Sequence, residues 1–327
     1  MVHVSVIVPV YKVEGFIRSC AESLMRQSIK EGIEFIFVDD CSPDCSMAVL
    51  HEVLQKYPER QPFIKIVRHE KNLGLPSARN TGLNHATGKY IFHCDSDDYL
   101  EHDALEQMLS LAEREQAEIV WCDWYLSYNQ RERYMRQPAY STADEAVRGM
   151  LHGRMKYNVW NKLVRRSLYE ENNICFPDGH GMGEDMTMIR LFACAFRVAC
   201  LPEALYHYVK TNSEAFTSGF SEKNLLDLRH NVDATLEFLG QKRSSTFNED
   251  IPFFKLNVKF PFLITDDSKT YALWQKWYPE ANTQILKNRD ASLRSRILQY
   301  AAWKGQFWFV WLHYQLIYRL FYGFIYK

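Results

Sequence analysis

Five short apolar, β-branched or aromatic runs recur early in the chain, each bounded by turn or polar residues: Val4 to Val10, Phe35 to Asp39, Phe63 to Val67, Tyr90 to Cys94 and Glu118 to Cys122. Between them lie Phe16 to Met25, Met47 to Tyr57, Ser77 to Ala86 and Asp103 to Glu115, where apolar residues fall three and four apart and predict helices. Strand and helix thus alternate four times. Near-continuous apolar strands in that order predict an α/β fold, a doubly wound and mostly parallel sheet with helices on both faces. Ligands bind such sheets beyond the carboxyl ends of the strands.

From Tyr125 to about Gln137 the pattern alternates weakly and is polar, which predicts edge strands or a flap. "VWNKLVRRSLYEENNICF" reads as a strand and then a helix from near Ser167. "GHGMGEDMTMIRLFACAF" places a glycine-rich loop before a helix starting near Glu184, and "RVACL" and "LYHYVK" are strand-like. After roughly Thr217 only helical patterns remain. The organisation expected is a domain over 1–217 with halves at about 1–100 and 101–217, a helical extension over 218–299, and an aromatic, basic helix over 300–327.

Lys and Arg number 39 against 40 Asp and Glu, so overall charge gives no reason to expect nucleic acid as a partner. Eight scattered cysteines, several inside apolar runs, read as reduced thiols of a cytosolic protein, and the Cys41/Cys45 pair lacks the second pair a zinc site needs. The opening "MVHVSVIVPVY" reads as a first strand rather than a signal peptide.

The alternation places the polar residues after each strand along one edge of the sheet: Tyr11, Lys12 and Glu14; Asp39, Asp40 and Ser42; Asp95, Asp97 and Asp98. Three carboxylates within four positions repel one another and are costly to desolvate, so they call for a cation or a local capping role. Capping the next helix accounts for one of them, not three. Mg²⁺ or Mn²⁺ is held by one or two carboxylates together with phosphate and water, which suits such a cluster. In "MGEDMTM", glycines at 179, 181 and 183 let a loop approach closely, and the following helix N-terminus favours an ionised acid; the alternative is simple capping by an acidic pair.

The ordered series "VSVIVPVY", "VDDCSPD", "NLGLPSARNTGL", "CDSDDY" and "GED" resembles the family 2 glycosyltransferases with the GT-A fold, over about the first 215 residues. The resemblance implies an inverting glycosyltransferase (hexosyltransferase type). It would move a sugar from a nucleotide diphosphate sugar, UDP-linked, to a hydroxyl of a glycan or lipid-linked acceptor in polysaccharide biosynthesis. Asp97 or Asp98 would bind a divalent metal, Mn²⁺ or Mg²⁺, and the pyrophosphate, while Asp95 would contact ribose or metal. Asp40 would accept a hydrogen bond from uracil, Pro9, Tyr11 and Glu14 would complete the base and ribose pocket, and Arg79 would reach the nucleotide. Asp185 would be the general base, with Glu184 orienting it or the acceptor. Trp160 can stack on a sugar, and Lys162 can contact acceptor or phosphate; a strand Trp is otherwise a core residue.

Rival readings are a sugar nucleotidyltransferase, whose glycine-rich, arginine-containing loop "PVYKVEGF" does not match, and a carbohydrate- or nucleotide-sugar-binding protein without catalysis. From Tyr300 to the end, 12 of 28 residues are aromatic, and from Leu286 onward seven Lys or Arg face one Asp. His313, Gln315 and Arg319 interrupt the apolar run, so a helix in the headgroup region of an anionic leaflet is expected rather than a spanning one, the alternative being a helix packed on protein. The implied location is cytoplasmic and peripheral, at the inner face of the cytoplasmic membrane.

Overall fold

The computed structural model describes residues 2–128, 131–210 and 221–322. β1 (Val4–Val10), β2 (Ile33–Asp39), β3 (Ile64–Arg68) and β4 (Tyr90–His93) are separated by α1 (Ile17–Met25), α2 (Ser46–Leu54) and α3 (Leu75–His85). They lie in the order β3-β2-β1-β4, every neighbouring pair parallel. All of β1 and β2 is buried, as strands covered on both faces must be. Val4, Val6, Val8 and Val10 share a core with Phe35, Phe37 and Phe92, and with Leu24 of α1 and Leu50 of α2. The alternate residues of β1 meet α3, and closely. A Cβ on Gly82 would lie 2.2 Å from Cγ2 of Ile7, so glycine lets this helix seat on the sheet.

The second half of the sheet is mixed. After β5 (Tyr99–Leu100) and α4 (Ala104–Arg114), β6 (Ile119–Tyr128) runs antiparallel to both β7 (Arg131–Met135) and β8 (Lys162–Arg165). β8 joins β4 antiparallel and so stitches the two halves together. The predicted edge strands at 125–137 are the end of β6 and β7. The two strand-like segments near 200 form one strand, β9 (Val198–Val209), parallel to β6 with register shifts on either side of Asp123. Pro202 and Glu203 project there, because proline cannot donate to a ladder.

The remaining helices are α5 (Ala143–Leu151), α6 (Arg166–Glu171), α7 (Thr187–Cys194) and α8 (Glu222–Lys242). The helix expected from near Glu184 opens as a 3₁₀ turn, Glu184–Met186, before α7. Residues 1–146 with 157–242 form one compact unit, and 147–156 with 243–327 a second. The boundary expected near Thr217 lies outside the described residues, and α8 beyond it belongs to the first unit.

The second unit is helical, with α9 (Ile251–Lys259), α10 (Ser268–Lys276), α11 (Leu293–Trp303) and α12 (Phe307–His313), which continues in π-type turns to Tyr322. Lys259 is buried within it. Its ammonium donates to the Trp277 carbonyl (2.8 Å) and Asn282 Oδ1 (2.6 Å) and lies 4.2 Å from the Trp274 ring centre, and burial pulls its pKa down to about 7. Cys20, Cys94, Cys122 and Cys194 are buried.

Candidate active site

The loops after β1 and β2 are tied together at the sheet edge. Lys12 N donates to Ser42 Oγ (2.8 Å), Glu14 N to Asp44 Oδ2 (3.1 Å), and Cys45 N back to Glu14 Oε2 (2.9 Å). Tyr11 is exposed beside them, whereas Pro9 is buried within β1 opposite Val38 and presents no side chain at the edge. Asp40 is buried, and its carboxylate accepts from Leu73 N, Gly74 N and His69 Nδ1 at 2.7–2.8 Å, which shapes the entry to α3.

The acidic loop after β4 divides its three carboxylates by environment. Asp98 is buried and accepts from Tyr206 Oη (2.7 Å) and Val209 N (2.8 Å), which anchors the loop to β9. Burial, with Asp97 and Asp95 nearby, pushes its pKa well up. Its two hydrogen bonds therefore make it the anchor of this loop. Tyr206 Oη also accepts from Asp95 N (3.1 Å). Asp95 and Asp97 are only partly buried. Trp160 is a support as well: it stacks on Tyr206 (4.4 Å between centres) and Tyr208 (5.3 Å), meets Trp124 edge-on, and is 5% exposed, too little to serve as a sugar platform.

The glycine-rich loop is held from two sides. Asn80 of α3 bonds the backbone of Phe176 and, with Ser77, the carboxylate of Asp178. From α8, Asn231 Nδ2 donates to the carbonyls of His180 (3.0 Å) and Met182 (2.9 Å), and Asp227 meets His180 Nδ1 at 3.1 Å. Gly183 turns the chain at φ 89°, and a Cβ there would meet Leu228 at 3.2 Å. Glu184 and Asp185 follow. The helix N-terminus was expected to keep them ionised, but burial dominates. Burial, Asp185 and Asp95 raise Glu184 to about 8 against the pull of Arg79. Burial and Asp95 raise Asp185 to about 6, while Arg79, Lys162 and a backbone hydrogen bond from Val159 restrain it.

Lys162 is buried, donates to the Asn158 carbonyl (2.6 Å) and Asn161 Oδ1 (2.8 Å), and is lowered by burial to about 7. Its place beside Asp185 makes it a tuner of that acid, not a surface contact for acceptor or phosphate. Arg79 joins the two acidic segments. Fully buried, it donates from Nη2 to Asp95 Oδ1 (2.9 Å), lies 3.7 Å from Glu184 Oε1, and sits 5.6 Å from the Phe176 ring centre. Burial opposes its charge, but Asp95, Glu184 and Asp185 together raise its pKa further. It thus braces the acids from within, with Nε and Nη1 left without a hydrogen-bond partner among the described residues.

The family model for glycosyl transferase family 2 matches residues 5–188, more than half of the chain. The chain belongs to glycosyl transferase family 2. It is 37% identical over 213 residues to the uncharacterized glycosyltransferase EpsJ of Bacillus subtilis (strain 168), a match covering 63% of this chain and 60% of that protein. This family 2 chain also shares its GT-A fold with S. aureus TarS 1-349 in complex with UDP-GlcNAc (TM-score 0.59, 20% identity, covering 96% of this chain and 92% of that one). A second structural likeness is to the mannosyltransferase PcManGT from Pyrobaculum calidifontis, in complex with GDP-Man and Mn2+ (TM-score 0.53, 14% identity, covering 92% and 87%).

Two carboxylates at this edge are of the kind a hard divalent cation takes. Asp95 and Asp97 offer carboxylate oxygens at a partly exposed edge, while Asp98 fixes their loop. Among the described residues no three His, Cys, Asp or Glu side chains form a closed cage, so such an ion would draw its other ligands from diphosphate and water. Sequence reasoning passed over Tyr206, Asn80, Asp227 and Asn231. For Tyr206 a signal existed: in "LYHYVK" the two-residue period puts Tyr206 and Tyr208 on one face. The partners of Asn231 lie about fifty positions away, and no local pattern reports them.

Proposed function

We propose that this chain is an inverting glycosyltransferase that moves a sugar from a UDP-sugar to a hydroxyl of a glycan or lipid-linked acceptor in polysaccharide biosynthesis, working at the inner face of the cytoplasmic membrane. The observation that carries the reading is the Arg79 bridge, which draws Asp95 of the post-β4 loop and the Glu184–Asp185 pair, some ninety residues apart, around one buried cation. The UDP-GlcNAc held in complex by TarS supports a UDP-linked donor, and the Mn2+ in complex with PcManGT supports a divalent cation.

Transfer with inversion has two requirements: stabilise the departing diphosphate and take a proton from the attacking hydroxyl. Asp95 and Asp97 would hold a Mg²⁺ or Mn²⁺ ion, which when bound supplies charge stabilisation to the diphosphate. Asp185, raised to about 6, is mostly ionised at pH 7 yet more basic than an ordinary aspartate, which suits a general base. Glu184, raised to about 8, stays largely protonated and keeps a second negative charge away from the base. Lys162 and Arg79 hold Asp185 below the value burial alone would set. Exposed Tyr11 remains the side chain at the nucleotide edge best placed to meet a base.

The test is turnover of UDP-, GDP- and TDP-sugars with Mn²⁺, combined with thermal stabilisation by each nucleotide. A UDP-sugar is expected to give both signals, and wild-type turnover by Asp185→Asn would remove that residue as base. Stabilisation without turnover of any donor would leave a binding protein.

A further inference from the structure

Nine of the sixteen exposed large apolar side chains among the described residues fall between Leu286 and Leu316. They form stripes at helical spacing. On α11, Leu293, Ile297 and Tyr300 recur at intervals of four and three and are exposed, while Leu298, Ala301 and Ala302 on the other side are buried. On α12 and its continuation, Trp308, Trp311 and Leu316 are exposed, and Val310 is buried. Each helix therefore has one apolar face turned inward and a second facing solvent. Trp308 at 66% exposed and Leu293 at 65% are a large unfavourable exposure unless something covers them.

The charges around the stripes say what covers them. Between Leu286 and Arg319 there are six Lys or Arg and one Asp, a net charge of +5, and that Asp290 is bonded to His152. Lys304 Nζ lies 4.4 Å from the Trp303 ring centre, and Arg294 donates to Tyr318 Oη at 3.1 Å, so cations ride on aromatic rings with their stems along apolar surface. Two copies meeting through this face would set like charges against each other, whereas a layer of lipid phosphates complements them. Among the described residues no helix is long and apolar enough to cross a membrane, which leaves an in-plane arrangement.

We propose that α11 and α12 are a docking surface for an anionic lipid bilayer, lying in the headgroup plane with Trp308 and Trp311 inserted and Arg294, Lys304 and Arg319 on lipid phosphates. The proposal does not depend on the transfer reaction, because lipid binding is read without donor or acceptor. The full chain is mixed with vesicles of phosphatidylcholine alone or with an equal part of phosphatidylglycerol, and both are floated on a density gradient. Flotation is expected only with the phosphatidylglycerol vesicles, and it falls as salt is raised. Arg294→Gln, Lys304→Gln and Arg319→Gln should each weaken partitioning about fivefold. The double variant Trp308→Ser/Trp311→Ser should stop floating while its circular dichroism and elution volume stay unchanged. Absence of flotation with anionic vesicles, or equal flotation with neutral ones, would overturn the proposal. So would a dimer of the wild-type chain that the double Trp variant splits, since that result assigns the face to a second copy.

Discussion

Replacing Arg79 with Met keeps the length of an unbranched stem and removes the cation shared by Asp95 and Glu184. Breaking a buried ion pair from one side costs about 3–5 kcal/mol, because the partner charge is left in a poorly solvated place. Two features favour the lower end at pH 7. Asp95 is about a quarter exposed, so water screens it, and Glu184, raised to about 8, is mostly neutral there. The expected loss is thus about 3 kcal/mol at pH 7, a large part of the roughly 5–15 kcal/mol of a typical domain. It grows toward pH 9, as Glu184 ionises with no counter-charge. Hydrogen exchange of the β1 and β4 amides reads the opening of the first unit directly. The Asp185 inflection, near pH 6 in the wild type, should also move upward, since Arg79 holds it down. A loss below about 1 kcal/mol, or one that shrinks as pH rises, would refute the role given to this cation.

The other expectations concern the same loops. Asp185→Asn should lower kcat by about 10²–10⁴ while raising thermal stability at pH 7, because it removes a carboxylate that burial makes costly to ionise, and wild-type kcat/KM should rise through about pH 6 and then level, as a base with that pKa requires. Glu184 keeps its proton in the folded chain up to about pH 8 but loses it near the ordinary 4.5 when unfolded, so folding stability falls as pH rises across that interval. Glu184→Gln should flatten that slope between pH 6 and 8, where Asp185 has already titrated; an unaltered slope in urea titrations would place the proton elsewhere. Tyr206→Phe leaves Asp98 short of one donor and Asp95 N without its acceptor, so a loss of about 1–3 kcal/mol is expected by urea denaturation. Gly183→Ala adds a Cβ at positive φ and 3.2 Å from Leu228, and turnover should fall more than stability if the loop geometry sets the place of Asp185.

The hydrophobic rhythm located β1 to β4 and their helices to within a few residues because it encodes which positions face a core, and that is a local property. The same rhythm could not tell that β8 would enter antiparallel next to β4. It also split β9 in two, since Pro202 interrupts a strand that continues past it. The acids were legible as a group but not by role. Asp95, Asp97 and Asp98 look alike in the chain, and only Tyr206 and Val209, more than a hundred residues later, make Asp98 an anchor. Arg79 and Lys162 were read as ligand contacts from the family resemblance; that they are also buried counter-charges for the acids is visible only in the fold. Trp160 followed the commoner fate of a strand tryptophan.

The grip of Asn231 on the carbonyls of His180 and Met182 bears on how this chain can be shortened. A fragment ending where the β-α alternation ends would retain each acid named above yet lack the helix that holds their loop in shape. The smallest piece expected to work on its own must run at least through α8, to Lys242. A helix that carries none of the reacting groups thus has to be kept with them.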